Sequence, residues 1–337
     1  MFNLRNFLAV IWLAGSISLL TAAPVFTQNT SRSQPGIYEV VHGWPVLPDN
    51  DMLDEVSAVA VDSHGNVLIL TRGSRKWPDN DILDTAPIEK NTIFLIDGKT
   101  GKFLNKFGKG VFAMPHSITV DSQDNIWVSD VALHQIFKLA PDGKLLMTIG
   151  EAGKSGDDDG HFNRPSDVAV TADGSFYVSD GYGNNRVMNF DASGKFLLKW
   201  GEKGNTPGKF DLLHGIALDA AGNVYVVDRS NHRIQVFERN GKFRAEWKGE
   251  YLVSPQDIKI GRDGNAYIAD NGSEKPPDHT GIVILGPDGT FIQRVGRYGN
   301  YDGQFVDFHM VAVGKDGSIY CADFEGKRVQ KFVRKSR

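Results

Sequence analysis

A short turn recurs six times along this chain, and this repeat limits the available folds more than any other feature. Each copy follows an apolar stretch and precedes a stretch that ends in Asp in every copy but the first. The copies are DSHGN (62–66), DSQDN (121–125), TADGS (171–175), DAAGN (219–223), GRDGN (261–265) and GKDGS (314–318). Repeats of about 40 to 60 residues with four short strands each are typical of β-propeller blades. We therefore predict an all-β, six-bladed β-propeller over residues 37–337.

The turn chemistry and the chain ends support a closed ring. Glycine in the Asp-Gly pairs supplies the positive φ that tight hairpin turns need. The last copy ends after RVQKFV, one strand short of four, whereas the segment from Ile37 to Val41 has no hairpin partner near it in sequence. We predict that this N-terminal segment completes the last blade and removes an open sheet edge.

The first residues predict export. One cation, Arg5, precedes an apolar run from Phe7 to Leu20 that ends in small residues. This pattern is typical of a secretory signal peptide, and the run is shorter than the roughly 20 apolar residues of a spanning helix. We predict a signal peptide at 1–23, a linker at 24–36, and a secreted or periplasmic protein with no membrane insertion after cleavage.

The net charge limits the possible binding partners, and the cysteine content excludes an internal disulfide. The formal net charge is −4, which argues against nucleic acid as a partner. Cys321 is the single cysteine, so the protein has no internal disulfide, and its place in SIYCAD predicts a small buried side chain. We expect a monomer that binds a small molecule or a peptide.

Three histidines recur at one position of the repeat. The residue five places before the turn is His116, His214 or His309 in the second, fourth and sixth copies. The remaining copies carry Ser57, Ser166 and Gln256 at that position. Alternate blades of a six-bladed ring place three imidazoles about 120° apart around its axis. Three nitrogen ligands and one open position are what a catalytic zinc ion requires.

Two arginines and a tyrosine belong to the same face of the ring. The start of the first strand and the residue after the second strand lie on one face, because the two strands are antiparallel. The residue after the second strand is Arg72 in the first copy and Arg229 in the fourth, and Tyr182 lies one place further in the third. Two guanidinium groups beside a metal predict a substrate with a free carboxylate.

Many other polar residues have a structural interpretation. A lone histidine in a β protein is usually a hydrogen-bonded structural residue, and this interpretation applies to His42, His64, His134, His161, His232 and His279. Two of them, His134 and His232, share a position in the loop before the third strand, which is part of the repeat itself. Arginines recur before the third strand and aspartates recur at the end of the second strand, so both sets are parts of the repeat with structural roles. They are Arg186, Arg233, Arg328, Asp130, Asp180, Asp228, Asp270 and Asp323. Trp77, within the insertion TRGSRKWPDNDILDTAPIEK of the first copy, is either a substrate wall or a loop anchor.

The chain resembles the NHL-repeat propellers and, among them, the peptidyl-α-hydroxyglycine α-amidating lyases. The segments that carry the resemblance are LTRGSRKW, PIEKNTIFLID, MPHSITVDSQDNIWVSDVALHQIFKL, RPSDVAVTADGSFYVSDGYGNNRV, LHGIALD, VVDRSNHRIQVF and FHMVAVGKDGSIY, within residues 40–333. The resemblance implies zinc ligands at His116, His214 and His309. It further implies substrate arginines at Arg72 and Arg229 and a catalytic tyrosine at Tyr182.

Two departures from the family pattern concern calcium and disulfides. The family carries an aspartate that helps to hold calcium directly after the third histidine, whereas this chain has Met310. The main-chain carbonyls of Val59 and Ile118 remain as possible calcium ligands, but calcium prefers several oxygen ligands. We therefore expect a protein that folds without calcium. Gly183 stands where the family has a disulfide cysteine.

The resemblance implies a zinc-dependent lyase that releases glyoxylate and an amide from an α-hydroxyglycine compound. In that reaction we expect Tyr182 to take the hydroxyl proton, provided that nearby cations favour its phenolate. Two alternatives come from other classes of protein. One is an NHL-repeat propeller that binds a ligand or peptide without catalysis, since one scaffold carries unrelated functions. The other is a lactonase-type propeller hydrolase, whose sites are rich in carboxylates.

Overall fold

The computed structural model describes residues 37–48, 53–274 and 277–335, where six four-stranded antiparallel sheets are arranged as the blades of a propeller. The predicted signal peptide at 1–23 and linker at 24–36 lie outside the described residues, so export stays a prediction. No helix in the described ranges is both long and apolar enough to cross a membrane.

Strands are numbered in chain order, and each blade contributes one strand to each of four concentric positions. The innermost strands are β2 (Val56–Val61), β6 (Pro115–Val120), β10 (Asp167–Val170), β14 (Leu213–Leu218), β18 (Pro255–Ile260) and β26 (Phe308–Val313). The second strands are β3 (Val67–Thr71), β7 (Ile126–Asp130), β11 (Phe176–Asp180), β15 (Val224–Asp228), β19 (Ala266–Asp270) and β27 (Ile319–Asp323).

The outer strands complete the blades. The third strands are β4 (Ile93–Ile96), β8 (Gln135–Leu139), β12 (Arg186–Phe190), β16 (Arg233–Phe237), β22 (Gly281–Leu285) and β28 (Arg328–Arg334). The outermost strands are β5 (Phe103–Phe107), β9 (Leu145–Ile149), β13 (Phe196–Trp200), β17 (Phe243–Trp247), β23 (Phe291–Val295) and β1 (Tyr38–Val40). Two short pairs, β20 (Ser273–Glu274) with β21 (Pro277–Asp278) and β24 (Arg297–Tyr298) with β25 (Gln304–Phe305), lie in loops, and one 3₁₀ turn spans Arg229–Asn231.

The N-terminal strand closes the ring, as the sequence predicts. Strand β1 pairs antiparallel with β28, with Tyr38 opposite Arg334 and Val40 opposite Phe332. Trp44 then packs on Tyr320 of the same blade, with ring centroids 5.2 Å apart. Because the first and last segments of the propeller share one sheet, the last blade has four strands and the ring has no open seam.

The hydrophobic core lies between neighbouring blades. Every residue of a second strand such as β11 is buried, whereas β13 at the outer edge alternates between half-buried and exposed residues. The adjacent blades cover both faces of a second strand but only one face of an outermost strand. Trp127 of blade two, for example, packs on Phe176 of blade three at a centroid distance of 4.6 Å.

The recurring aspartates are loop acceptors, which confirms their structural interpretation. Asp130 accepts backbone N–H bonds from Ala113 and Met114 at 2.7 and 2.9 Å, and Asp323 accepts those of Val306 and Asp307. The recurring arginines pair with these carboxylates; the pairs are Arg186–Asp180, Arg233–Asp228 and Arg328–Asp323. The turn glycines have the predicted positive φ, and Asp124 takes this conformation where the second copy lacks glycine.

The central channel contains a half-buried cation. Lys259 Nζ lies 2.6 Å from Asp257 Oδ1 and 3.4 Å from Asp167 Oδ2. Burial acts to lower the pKa of Lys259, but Asp167 and Asp257 together raise it above its ordinary value. Each carboxylate also accepts a backbone N–H from the next blade, at Ile216 and Val311. The ammonium group of Lys259 therefore offsets one of the two negative charges in this part of the channel.

We expect calcium removal to leave the melting temperature of the propeller unchanged. Met310 offers no oxygen ligand after the third histidine, and the ammonium group of Lys259 already contacts both channel carboxylates. Thermal melts with and without a calcium-selective chelator would measure this. A large fall in the midpoint that calcium restores and magnesium does not would show that Val59 and Ile118 belong to a calcium site after all.

Candidate metal centre and substrate pocket

The three histidines that share a position in the repeat meet in the structure. His116, His214 and His309 lie at the starts of three innermost strands of alternate blades, and their ring centroids are 4.8–5.0 Å apart. One potential ligand nitrogen from each lies within 4.8 Å of the others, and all three residues are buried. Within the described residues, no other group of three His, Cys, Asp or Glu side chains meets this criterion.

The backbone of the intervening blades orients each imidazole. Nδ1 of His116 contacts the carbonyl oxygen of Ser166 at 2.7 Å, and Nδ1 of His214 contacts that of Gln256 at 2.7 Å. Nδ1 of His309 contacts the carbonyl oxygen of Ser57 at 2.5 Å. A carbonyl only accepts, so Nδ1 carries the proton and Nε2 has a free lone pair. The carbonyls come from the residues at the histidine position of the next blades.

Burial keeps the imidazoles neutral. Burial and the adjacent His309 and His214 lower the pKa of His116 well below its ordinary value. Burial, with help from Arg72 and Arg229, lowers the pKa of His309 to about 3. Neutral imidazoles with Nε2 directed to one point are the form that binds a transition metal. The donor set therefore fits zinc with one position left for another ligand.

Tyr182 lies directly against two of the histidines. Its hydroxyl is 3.0 Å from His116 Nε2 and 2.9 Å from His214 Nε2. Burial raises the pKa of Tyr182 above its ordinary value, while Arg229 and Arg72 oppose the shift. Both guanidinium groups thus act in the expected direction, towards the phenolate. The desolvation of the phenolate outweighs its attraction to the two guanidinium groups.

The two predicted arginines lie on this face of the ring but in different environments. Arg72 is buried, donates from Nε to the carbonyl oxygen of Pro115 at 3.0 Å, and has its guanidinium carbon 4.9 Å from the ring centroid of Phe324. Burial lowers its pKa. Arg229 is half-buried and lies close enough to Tyr182 to lower the pKa of the phenol. Arg229 is thus the more accessible of the two cations beside the phenol.

Three further residues beside the arginines were not assigned from the sequence. Asp307 is half-buried and accepts a 2.7 Å hydrogen bond from Asn271 Nδ2, while Phe324 covers Arg72. Burial and the nearby Glu325 raise the pKa of Asp307 to about 6, although Arg229 opposes the shift. Asn271 and Phe324 occupy the same repeat position as Arg72 and Arg229. That shared position was the sequence signal that could have assigned both residues to the pocket.

The insertion of the first copy reaches the site. Trp77 packs on Tyr182 with ring centroids 5.0 Å apart, and its Nε1 donates to Asp81 at 2.7 Å. Trp77 is therefore both a wall beside the phenol and an anchor of its own loop.

Other histidines form hydrogen bonds away from the centre, as predicted. His134 Nδ1 accepts from the backbone of Arg164, and His232 bonds the carbonyl oxygen of Val253.

Sequence comparisons agree with the repeat. A family model described as "NHL repeat" matches residues 112–139, 162–188 and 210–237. Peptidyl-α-hydroxyglycine α-amidating lyase 2 of Drosophila melanogaster is 31% identical over 318 residues, which cover 87% of this chain and 75% of that protein. NHL repeat-containing protein 3 of Homo sapiens is 31% identical over 323 residues, with 90% and 86% coverage.

Longer relatives contain a similar segment. Peptidyl-glycine alpha-amidating monooxygenase of Mus musculus is 35% identical over 325 residues, covering 89% of this chain and 31% of that protein. This chain spans about a third of the length of the amidating monooxygenases that it matches.

Solved structures share the architecture. A streptogramin B lyase aligns with a TM-score of 0.59 and 15% identity, covering 88% of this chain and 98% of that one. A gluconolactonase of Xanthomonas campestris aligns with a TM-score of 0.59 and 12% identity, covering 84% and 89%. At these identities the likeness shows the fold alone.

The repeats, the ring of six blades and the buried histidines define an NHL-repeat β-propeller. Within this class, the chain belongs to the family of the peptidyl-α-hydroxyglycine α-amidating lyases.

Proposed function

We propose that this protein is a zinc-dependent lyase that cleaves the C–N bond of a peptidyl- or N-acyl-α-hydroxyglycine and releases an amide and glyoxylate. One observation carries the proposal: three neutral imidazoles direct Nε2 to one point, beside a phenol and two arginines. Relatives named lyases at 31–34% identity support an enzyme of this class at the level of the family.

The substrate carboxylate would bind to the arginines. Arg229 is half-buried beside Tyr182, and a guanidinium group can donate two parallel hydrogen bonds to a carboxylate. Arg72 adds a second positive charge from a buried position. Asp307 would repel a carboxylate that bound on its own side of the pocket. These charges favour one orientation, with the α-carbon near the histidines.

Tyr182 would move the proton in the proposed reaction. The phenolate oxygen accepts the proton of the α-hydroxyl group, the C–O bond becomes the carbonyl of glyoxylate, and the C–N bond breaks. The phenol then returns this proton to the amide nitrogen, so the products are a neutral amide and glyoxylate and Tyr182 is again a phenolate. His116, His214 and His309 would hold zinc, which supplies a Lewis acid for a substrate oxygen and a positive charge that favours the phenolate of Tyr182.

The two alternatives differ from the proposal in what they require. A binding propeller needs no metal, and the relative named NHL repeat-containing protein 3 keeps this alternative open. A lactonase-type hydrolase uses a site rich in carboxylates, whereas the potential metal ligands found at this centre are three histidines. The chemistry of the donor set therefore favours the lyase over the hydrolase.

We expect zinc-loaded protein to release glyoxylate from a simple N-acyl-α-hydroxyglycine. The measurement is glyoxylate formation above the spontaneous rate, together with the zinc content of the same sample. A matched N-acyl-glycine without the hydroxyl group serves as the control and should release none. Failure with several acyl groups at full zinc occupancy would favour a binding propeller, and hydrolysis of a lactone without glyoxylate release would favour the hydrolase.

Arg229→Ala and Arg72→Ala are each expected to lower kcat/KM by roughly 10- to 100-fold, because each removes a charge-assisted interaction with the carboxylate. Arg229→Lys should retain part of the activity, since it keeps the charge but not the planar pair of donors. Arg239→Ala, at an arginine outside the centre, is the control. Unchanged kcat/KM in both alanine variants would contradict their assignment as the substrate clamp.

A further inference from the structure

The insertion between β3 and β4 is anchored on blade two. The backbone N–H of Ile88 donates to the carbonyl oxygen of Phe112 at 2.8 Å, and that of Gly110 donates to Ile88 at 2.9 Å. Arg75 Nη1 donates to the carbonyl oxygen of Ala113 at 2.7 Å. These bonds hold the base of the insertion in place and leave its tip to be fixed by other contacts.

The tip reaches across to blade three through one ion pair. Arg164 Nη1 contacts both carboxylate oxygens of Asp81 at 2.8 and 2.7 Å, and Arg164 Nη2 donates to the carbonyl oxygen of Asp81 at 2.8 Å. Trp77 Nε1 donates to the same carboxylate at 2.7 Å. The Asp81 side chain therefore joins the indole of the insertion to the guanidinium group of another blade.

Arg164 also contacts the backbone of Tyr182. It has a left-handed conformation with φ of 61°, and its N–H donates to His134 Nδ1 at 2.9 Å. Its carbonyl oxygen accepts the N–H of Tyr182 at 3.4 Å. The residue that holds the tip of the insertion thus contacts the backbone of the tyrosine of the metal centre.

The indole of Trp77 contacts both the ring of Tyr182 and the guanidinium group of Arg164. Its ring centroid is 5.0 Å from that of Tyr182, and the guanidinium carbon of Arg164 is 5.4 Å from the indole. Trp77 and Tyr182 both pack against a buried apolar cluster formed by Ala113, Met114, Val131 and Ala132. The insertion therefore covers one side of the tyrosine whose hydroxyl contacts His116 and His214.

We propose that Asp81 and Arg164 form a latch that holds Trp77 against Tyr182, and that these three residues position the phenol for the reaction. The kinetic part of this inference rests on the proposed function, whereas the structural part does not. The latch is local: an exposed ion pair adds little to global stability, but it can decide how often one loop opens. A phenol with one face uncovered would spend less time between the two imidazoles.

The first test needs no substrate. Trypsin can cleave the insertion after Lys76, which is exposed, and such cleavage follows the population of the open loop. We expect Asp81→Asn and Arg164→Gln to be cut roughly fivefold faster than the wild type, with unchanged melting temperature and metal content. Asp79→Asn changes an exposed carboxylate of the same insertion and should be cut at the wild-type rate.

The second test is kinetic. We expect Asp81→Asn, Arg164→Gln and Trp77→Ala to lower kcat for glyoxylate release at least tenfold more than they raise KM, roughly the scale of a misplaced catalytic group. Trp77→Phe keeps an aromatic face and should recover most of kcat. The exchange Asp81→Arg with Arg164→Asp should restore part of what each single change removes.

The outcomes separate the latch from the proposed function. Wild-type cleavage rates in both latch variants overturn the latch, whatever the activity. Faster cleavage with unchanged kcat overturns the positioning of Tyr182. If the wild type releases no glyoxylate, the proposed function fails, and the cleavage rates still decide whether the insertion is held by this ion pair.

Discussion

Alanine in place of His116, His214 or His309 is expected to release the bound metal while the propeller stays folded. Each imidazole supplies one of three inward-facing nitrogens, so its loss should weaken metal affinity by more than the roughly 10- to 100-fold that loss of an outer-shell partner costs. The side chains face the channel centre and not the packed space between blades. Each variant therefore loses one Nδ1 hydrogen bond to a carbonyl and, for His116 and His214, a contact with the Tyr182 hydroxyl.

The measurement is metal content per chain by elemental analysis, with a thermal melt of the same sample. We expect about one zinc per chain in the wild type and almost none in the variants after dialysis. His232→Ala is a matched control, because its Nδ1 also contacts a backbone carbonyl oxygen, that of Val253, away from the centre. Full metal retention in all three variants would refute the metal assignment.

Phenylalanine in place of Tyr182 should abolish most of the catalysis and leave the metal bound. The hydroxyl contacts two imidazoles and is the proposed carrier of the substrate proton, so kcat should fall by roughly 10² to 10⁴. The aromatic ring remains packed on Trp77, so KM and the melting temperature should change little.

A tyrosine of the same blade provides the control for this experiment. The hydroxyl of Tyr177 donates to the backbone carbonyl oxygen of Arg239 at 3.0 Å, outside the centre. Tyr177→Phe therefore removes a phenol hydroxyl without touching the histidines and should keep wild-type turnover. If Tyr182→Phe turned over at the wild-type rate, the proton would have to move through another group.

Several parts of the site were predictable because they depend on position within one repeat. The number of turn motifs equals the number of blades. The number of residues between a side chain and its turn shows at which end of a strand, and so on which face of the ring, that side chain lies. His116, His214 and His309 share that offset, so their convergence follows from the ring alone. The same argument places Arg72 and Arg229 on the face that carries the histidines.

Other parts depend on contacts that no offset describes. Asp307 lies just before an innermost strand, and its place in the pocket depends on its bond to Asn271 of the preceding blade. In the sequence, Lys259 is an ordinary lysine of a predicted strand. In the structure its ammonium group lies between the carboxylates of Asp167 and Asp257, which belong to two different blades. The raised pKa of Tyr182 was also missed, because burial depends on everything that packs around the phenol.

The sequence by itself determined the all-β class, the six blades, the N-terminal closing strand and the three histidines on alternate blades. These features are periodic, and a period is visible in a single chain. Only the tertiary structure decided which nitrogen of each imidazole faces inward, because the carbonyl oxygens that orient Nδ1 belong to Ser57, Ser166 and Gln256 of other blades. It also decided that Trp77 covers Tyr182, through an ion pair between Asp81 and Arg164. Such contacts join residues far apart in sequence, and they exist only once the ring has closed.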